Sequence, residues 1–446
     1  MDGTESPRAV GAGRDWRAVA LFGAVVVACW VVPALRGQGP YGRGVFKILL
    51  VYAGIFAVPA WLASLAVALA PARYRRPLAL RLMAVLFAIV VAVPMGDLAL
   101  TVWSVRVGNF WYHTMSLPRA ENMPDRELVW KRKPNLSWRG RKTPFCDEVV
   151  YRSDENGFRN PPGVDRADIV FLGDSVTEAG ELDEDSTFVR RTAESLGLEA
   201  VNLGTSGYGP QQELVVLRRY GLAYRPRLVV WQLTEWNDVI DAQAYRLRDA
   251  PAARALPDWE SLYARHSPVM RLVSAVLPGR MPSTVEFRRS DGRVERQMFW
   301  PYRPDPHRQM PEAFAETQQA IRSAFETCRA QGIDVVVLYV PSHVRILFPY
   351  LRFKNETQRN RLCPAGPADS EGDLAHAIRE FCGGMGCPMI DMGPPLRDRA
   401  AVDNRRVYVP NDPHLGIDGH DEVRKALVRF VESRQAPAAE VATRRP

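Results

Sequence analysis

Two long uncharged runs near the amino terminus restrict the folds that this chain can adopt. Residues 18–35 (AVALFGAVVVACWVVPAL) and 48–70 (ILLVYAGIFAVPAWLASLAVALA) are each long enough to cross a bilayer core of about 30 Å. A third apolar run, 78–103, contains Arg81 and Asp97, which we place near its two ends, within reach of the lipid headgroups. The sequence therefore predicts a membrane region over 1–104, with transmembrane helices at about 17–36, 46–70 and 78–103.

Two other interpretations of these runs stay open. Each run is also compatible with a buried core helix, most easily the third because of its charges. The first run is compatible with a cleaved signal sequence, since Arg8, Arg14 and Arg17 precede it. Its apolar part is long and no clear small-x-small cleavage site follows, so we favour a transmembrane helix.

Basic residues in the short loops predict the orientation of the membrane region. Arginines precede the first run, and Arg73, Arg75 and Arg76 lie between the second and third runs with no acid nearby. Both loops are therefore expected in the cytoplasm, although Arg36, Arg43 and Lys47 weaken the bias. Three crossings place everything after about residue 104 outside, so we predict a multi-pass protein of the cell (inner) membrane whose outer domain faces the periplasm or the exterior.

The outer part changes character along the chain. Residues 105–165 are rich in Arg, Pro and Asn, which predicts an extended arm. From 166 to 432, strand-like runs alternate with helix-like stretches, which predicts an α/β fold with a parallel sheet between helical layers. An insertion at about 241–310 interrupts the alternation, and a tail at 433–446 without large apolar residues is predicted to be disordered. The predicted strands are 168–172, 199–203, 227–233, 334–340 and 388–391, and the predicted helices are 187–197, 211–221, 312–330, 371–382 and 419–432.

Composition argues against several ligands. The formal net charge of +8 comes from scattered arginines, without a basic helix or an aromatic-lined groove, so nucleic-acid binding is not indicated. No cysteine pair has CxxC spacing and the histidines are dispersed, so no metal and no cofactor are predicted. Disulfides can persist outside the cytoplasm, but their pairing stays open, even for the two cysteines that flank Gly-Gly-Met-Gly. The cysteines of the outer part are Cys146, Cys328, Cys363, Cys382 and Cys387.

Polar motifs follow the predicted strands. Gly-Asp-Ser follows the first strand, NLGTSGYGPQQ the second and TEWNDV the third, and VPNDPHLGIDGH comes after the last. Ligands of an open parallel sheet bind beyond the carboxyl ends of its strands. An acyl-transfer site needs a nucleophile, a base, a group that orients the base, and donors for the oxyanion. The strand ends supply all four.

In order and content these motifs resemble those of the SGNH (GDSL) superfamily of esterases and acyltransferases, whose domains are flavodoxin-like three-layer α/β/α structures. The resemblance covers about 150–432 and implies that Ser175 is the nucleophile, His414 the general base and Asp412 its orienting acid. The upstream YRSDENGFRN also resembles the N-x-GFR segment of membrane-anchored members. The oxyanion hole implied by the resemblance consists of the backbone N–H groups of Ser175 and Gly207 and the side-chain amide of Asn237.

Two positions depart from the family pattern. Glu235 stands where the third motif usually has glycine, which leaves the aim of the nearby amide open. Asn411 occupies the usual position of the acid, three residues before the base, and Asp412 stands at minus two. Polysaccharide O-acetyltransferases of the alginate type use such an Asp-x-His arrangement, so the departure favours that branch.

Other polar and aromatic residues near these motifs are assigned structural roles. Asp174 is expected to hold the nucleophile turn and His420 to start or pack the final helix. His343 is interpreted as a loop histidine, with a role in lining the site as the alternative. Two loop residues, Asn202 and Ser206, are expected to satisfy loop backbone. The insertion aromatics are expected to form a small core of their own, with stacking on a sugar as the alternative: Trp259, Tyr263, Trp300 and Tyr302.

The resulting prediction is a membrane-anchored serine esterase or O-acyltransferase that acts on acyl esters, chiefly acetyl esters, of small molecules or of cell-surface or exported glycans. A membrane acyltransferase is allowed for as a partner. One alternative is a catalytically inactive glycan-binding or assembly component of the same fold, which Glu235 keeps open. Another is a transport or signalling protein, against which the scarcity of intramembrane polar residues argues. The acyl group, the acceptor and the oligomeric state stay open.

Overall fold

The chain divides into two compact units, Met1–Phe110 with Ala255–Met281, and Trp111–Arg254 with Pro282–Pro446. The structure is a computed structural model, and it describes residues 45–107, 122–142, 146–247, 267–269, 283–302, 305–363 and 373–442.

The first unit contains two packed helices, α1 (Val45–Leu69) and α2 (Ala72–Val107). Among the described helices, the stretch Ala72–Thr101 of α2 is long and apolar enough to cross a membrane, and Ile55–Leu69 is a shorter apolar stretch. Both helices agree with the predicted second and third segments. The predicted first segment, 17–36, lies outside the described residues.

Asp97 in α2 has hydrogen-bond partners within the protein. Its carboxylate is buried and accepts hydrogen bonds from the hydroxyls of Tyr52 and Ser267, both at 2.6 Å, and from the Val269 N–H at 2.9 Å. The Asp97 carboxylate is therefore satisfied by internal hydrogen bonds and does not need the headgroups. A polar group among apolar helices must find internal hydrogen bonds, and α1 and the 267–269 segment provide them.

The second unit is built on a five-stranded sheet in which all neighbouring strands are parallel. Its strands agree with the five predicted ones and lie in the order β6, β5, β7, β10, β12. Counted along the chain this is the order 2-1-3-4-5 of flavodoxin-like folds. The strands of the sheet are β5 (Ile169–Leu172), β6 (Ala200–Asn202), β7 (Leu228–Thr234), β10 (Asp334–Val340) and β12 (Met389–Asp391).

Helices cover both faces of this sheet, which confirms the predicted three layers. Successive strand residues point to opposite faces, so the central strands are apolar throughout. One face packs against α5 (Pro210–Arg219), α6 (Asp238–Arg246), α8 (Pro311–Ala330) and α11 (Leu374–Met385). The other packs against α4 (Phe188–Leu196), α12 (Gly393–Val402) and α13 (Ile417–Ala442). Short helices complete the unit: α3 (Ser175–Glu178), α7 (Pro306–Gln309), α9 (His343–Leu347) and α10 (Glu356–Leu362).

The segment predicted as an extended arm contains two antiparallel hairpins. In one, β1 (Asn122–Asp125) pairs with β2 (Val129–Arg132), and in the other, β3 (Ser137–Gly140) pairs with β4 (Val149–Arg152). Their four-residue strands bury polar as well as apolar side chains, so they lack the apolar alternation that identifies strands in a sequence. We call β1–β2 and β3–β4 the arm hairpins.

The predicted insertion and tail also contain regular structure. Within the insertion, β8 (Ser283–Arg288) and β9 (Val294–Phe299) form a hairpin, and β11 (Leu351–Arg352) pairs with β8. The final helix α13 continues to Ala442, into the segment 433–446 for which the sequence predicts disorder. Its Ala, Glu, Gln and Arg residues are good helix formers, and they extend a helix that the fold has already started.

Candidate active site

The nucleophile turn joins β5 to α3. Gly173 has a φ of +154°, and a Cβ there would lie 2.4 Å from Thr177 Oγ1, so the turn requires glycine. Asp174 caps α3, since its carboxylate accepts a hydrogen bond from the Val176 N–H at 2.9 Å. This confirms the predicted role of Asp174. Ser175 is thereby placed in the first turn of α3, at the carboxyl edge of the sheet.

The predicted base lies on a tight loop after α12. The His414 carbonyl accepts a hydrogen bond from the Val409 N–H at 2.9 Å, which closes the loop. Asn411 occupies the left-handed region with a φ of +60°, and its Oδ1 accepts a hydrogen bond from the Met298 N–H at 2.7 Å. The residue at minus three is therefore a turn former that binds the β8–β9 hairpin, and it does not orient the histidine.

Three predicted residues meet at one point of the sheet edge. Ser175 Oγ lies 2.8 Å from His414 Nε2, and His414 Nδ1 lies 2.5 Å from Asp412 Oδ1. Asp412 Oδ1 also accepts a hydrogen bond from the His414 N–H at 3.0 Å, which fixes the carboxylate beside the ring. Ser175 and Asp412 are 6% and 7% exposed. This is the hydrogen-bonded chain of nucleophile, base and acid that acyl transfer requires.

A second carboxylate, which the sequence analysis missed, lies beside the same ring nitrogen. Glu181 Oε1 is 3.2 Å from His414 Nδ1 and 2.8 Å from the ammonium of Lys142. Glu181 follows α3, whereas Lys142 lies in the connection between β3 and β4 of the arm hairpins. Burial lowers the pKa of Lys142, but Glu181 and Glu178 raise it further, so the net shift is upward.

These carboxylates also act on the base. Burial alone would lower the pKa of His414, but the charges of Glu181 and Asp412 raise it to about 9. Burial raises the pKa of Asp412, and the His414 imidazole outweighs this, so the pKa of Asp412 lies below its usual value. The site therefore favours an imidazolium next to a carboxylate, which is the state that forms when the serine loses its proton.

The predicted oxyanion donors are only partly arranged for that role. The Ser175 N–H lies in the first turn of α3, where backbone N–H groups have no acceptor within the helix. Gly207 is exposed, with a φ of +80°. Asn237 donates both hydrogens of its amide, to Asp174 Oδ2 and to Asp241 Oδ2, each at 2.8 Å. An oxyanion role for Asn237 stays a prediction that requires its amide to leave one of these carboxylates.

Glu235, at the usual glycine position, belongs to a buried ion-pair network. Its carboxylate accepts hydrogen bonds from the Ser342 N–H at 2.8 Å, the Arg345 guanidinium at 2.8 Å and the Tyr302 hydroxyl at 3.0 Å. Arg345 also pairs with Asp373 at 2.7 Å. The network joins the ends of β7 and β10. Tyr302 is therefore part of this network, not of a separate core of the insertion, while Trp259 and Tyr263 lie outside the described residues.

The remaining candidate residues have structural contacts. His420 is buried, stacks on Phe188 and accepts a hydrogen bond from its N–H at 3.1 Å, which confirms a packing role. Asn202 bonds backbone as predicted, since its amide donates to the Thr177 carbonyl at 2.7 Å, whereas Ser206 donates to the Glu178 carboxylate. His343 is expected from the sequence to be a solvated or structural loop histidine; it is buried and stacks on Phe299 with ring centroids 5.3 Å apart, so its role is structural.

The site could offer ligands to a cation only by giving up existing bonds. Ligand atoms of Glu181, Asp412 and His414 lie within 4.8 Å of one another. The Lys142 ammonium already neutralises Glu181, and both ring nitrogens of His414 already have partners. This donor set fits an internal ion pair and an acid–base chain, not a divalent cation.

Comparisons with known proteins give likenesses only at low identity. No family model matches the chain, and no curated protein matches its sequence. A lipase/acylhydrolase from Enterococcus faecalis is similar with 14% identity and a TM-score of 0.31, covering 60% of this chain and 95% of that one. A GDSL-like lipase from Bacteroides thetaiotaomicron has 14% identity and a TM-score of 0.30 over 60% and 88%. A catalytic mutant of an acetylxylan esterase from Geobacillus stearothermophilus has 12% identity and a TM-score of 0.31 over 58% and 92%. At these values the matches carry no conclusion about function, which is inferred from the side chains at the strand ends.

Proposed function

We propose that this chain is a membrane-anchored serine esterase or O-acyltransferase of the SGNH type. The proposal is carried by the continuous chain from Ser175 Oγ through the His414 ring to Asp412, with separations of 2.8 Å and 2.5 Å. These hydrogen-bonded side chains lie at the junction of β5 and β7, where the strand order of the sheet reverses and where ligands of such sheets bind.

The proposed reaction has two acyl-transfer steps. His414 Nε2 takes the proton of Ser175 as Oγ attacks the acyl carbon, and Asp412 stabilises the imidazolium. The alcohol of the ester leaves with the proton from Nε2, which yields an acyl-enzyme on Ser175. Water or a sugar hydroxyl then attacks that intermediate, with the same histidine as base, and the serine is regenerated. Water as the acceptor makes the protein an esterase, and a sugar hydroxyl makes it an acyltransferase.

The proposed location rests on the apolar stretch of α2, and the proposed substrate class rests on that location and on the acid–base motif. The apolar stretch Ala72–Thr101 supports a membrane anchor, and the arginines around it favour an outer position for the α/β unit. A site outside the cytoplasm meets exported acyl esters, and the Asp-x-His arrangement of Asp412 and His414 favours acetyl groups on glycans. A membrane acyltransferase is the partner class that could supply such groups.

A second candidate function is a glycan-binding or assembly component without catalysis. The observation that favours it is the engagement of both Asn237 amide hydrogens with carboxylates, which leaves no side-chain donor of Asn237 for an oxyanion. Loss of one such donor lowers turnover by about 10²- to 10³-fold without abolishing it. An assay for slow turnover therefore distinguishes the two candidates.

The test uses the full chain in detergent. A fluorophosphonate probe should label the protein, and Ser175→Ala should remove the label, whereas Ser342→Ala, at another strand end, should keep it. The same preparations are then incubated with an aryl acetate, with and without an oligosaccharide, and followed for acetate release and for acetylated sugar. Acetylated sugar supports the transferase, and acetate alone supports the esterase. Labelling that survives Ser175→Ala, or its absence in the parent protein, contradicts catalysis by this serine.

A further inference from the structure

The base of the proposed site faces more negative charge than a Ser-His-Asp arrangement needs. Nδ1 of His414 carries one hydrogen at most, and Asp412 already accepts it at 2.5 Å. Glu181 nevertheless lies 3.2 Å from the same nitrogen, with a side chain that is 2% exposed. A buried carboxylate without a partner would be costly, so its position at this nitrogen needs a physical explanation.

Lys142 supplies the charge that keeps Glu181 in place. Its ammonium lies 2.8 Å from Glu181 Oε1, its side chain is 10% exposed, and it is 3.3 Å from the Ser206 hydroxyl. A flexible glutamate is thereby held against the histidine. Lys142 belongs to the arm hairpins, so a segment that precedes the α/β fold reaches the catalytic base.

We propose that Glu181, held by Lys142, is a second positioning carboxylate for the His414 base. It stabilises the imidazolium through its charge, while Asp412 fixes the ring through a hydrogen bond. When the Asp412 carboxylate is removed, Glu181 becomes the acceptor for Nδ1. This inference rests on the proposed function, because positioning a base matters only if the base acts.

Other ionisable groups around His414 do not explain the same effect. His343 and His420 are buried, and burial lowers the pKa of each to about 3, so both are neutral near pH 7. Arg132 of β2 is bonded to Glu178 of α3 at 2.6 Å, three residues before Glu181 in the chain. The pair of Glu178 and Arg132 therefore offers a matched control. Like Glu181 and Lys142, it joins a buried carboxylate to a buried cation of the arm hairpins.

The first test measures the imidazole directly, independently of activity. The full chain with ¹³C-labelled histidine is titrated by NMR in detergent, and His414 is assigned by its loss in His414→Gln. Glu181→Gln should lower the pKa of His414 by about 1 to 3 units, because an opposite charge has been removed. In a Lys142→Met background the same substitution should lower the pKa less, because Glu181 is no longer held at the ring. Glu178→Gln combined with Arg132→Met, which removes both charges of the control pair, should leave the His414 pKa nearly unchanged. An unchanged His414 pKa in Glu181→Gln would overturn the proposal.

The second test is a double-mutant cycle on turnover, with kcat/KM measured on the plateau above the His414 pKa. In the parent protein, Glu181→Gln should reduce kcat/KM by roughly 10-fold. In an Asp412→Asn background, where Glu181 is the remaining acid, the fold reduction caused by Glu181→Gln should be at least about 5 times larger. Equal effects in both backgrounds would contradict the proposal.

The controls separate stability from positioning. If Glu181→Gln fails to fold because Lys142 is left unpaired, Glu181→Gln with Lys142→Met removes both charges and should still lower the plateau. An inactive parent protein refutes the proposed function, whereas an active parent with unchanged Glu181 variants refutes only this inference.

Discussion

Asp412 and Asn411 are adjacent, and the structure gives them separable roles that substitutions can distinguish. Asp412→Asn keeps an oxygen for the His414 N–H but removes the charge that stabilises the imidazolium. By analogy with other triads, turnover should fall by roughly 10²- to 10⁴-fold, or about 3 to 5 kcal/mol of transition-state stabilisation. The remaining Glu181 carboxylate favours the lower end of that range.

Asn411→Ala should act on stability instead of turnover. Loss of the acceptor of the Met298 N–H should destabilise the fold by about 1 to 2 kcal/mol. Placing alanine at a φ of +60° should destabilise it by about 1 kcal/mol more. The free energy of unfolding should therefore fall by about 2 to 3 kcal/mol, while kcat changes less than about threefold. Asn411→Gly, which tolerates this φ, should recover the backbone part of the loss.

The assay combines two measurements on the same detergent preparations. Urea unfolding followed by tryptophan fluorescence reports stability, and aryl acetate turnover under conditions where each variant is folded reports catalysis. The reasoning is refuted if Asn411→Ala lowers kcat as much as Asp412→Asn does, or if Asp412→Asn retains near-parental turnover. Either result would mean that Asp412 does not orient the base.

Three further predictions concern pH, the nucleophile turn and topology. Because the base must be neutral and its pKa is raised to about 9, kcat/KM should rise with pH up to about 9, and a plateau already reached at pH 7 would contradict that value. Gly173→Ala should cost about 3 kcal/mol in urea unfolding, since its Cβ would lie 2.4 Å from Thr177 Oγ1, whereas Gly383→Ala in α11, with nothing within 4 Å, should be neutral or stabilising. A reporter active only outside the cytoplasm should give signal when fused after residue 440, and signal from a cytoplasm-only reporter there would reverse the predicted topology.

The sheet and its helices were predictable because their sequence signals are local and strong. All five parallel strands and the helices between them follow from apolar runs and helical spacing, and the strand ends then place Ser175 near His414. The arm hairpins were not predictable in this way. Arg132 and Lys142 face inward and are neutralised by acids more than 35 residues away, and a single sequence gives no signal for such pairing.

The same limit explains the parts of the site that the motifs left open. The GDS and DPH motifs contain the proposed nucleophile, base and acid, whereas Glu181 lies outside both motifs, in a stretch of acids and glycine that resembles a solvated turn. The ammonium of Lys142 compensates the charge of this buried carboxylate. Glu235 is similar, since its replacement of glycine is intelligible only once Arg345 and Tyr302 are seen to pair with it.

Two buried ion pairs make the segment that follows the nucleophile depend on the arm hairpins. Glu178 is bonded to Arg132, and Glu181 to Lys142, so α3 and the segment after it are joined to the hairpins by two separate cations. Breaking one partner of a buried pair is strongly destabilising, because the other charge is left without compensation. Removal of the hairpins would therefore leave both acids uncompensated directly after the nucleophile. An α/β unit cut at the start of β5 should consequently lose the ordered Ser175 turn, even though every residue of the sheet and of the Ser-His-Asp chain would still be present.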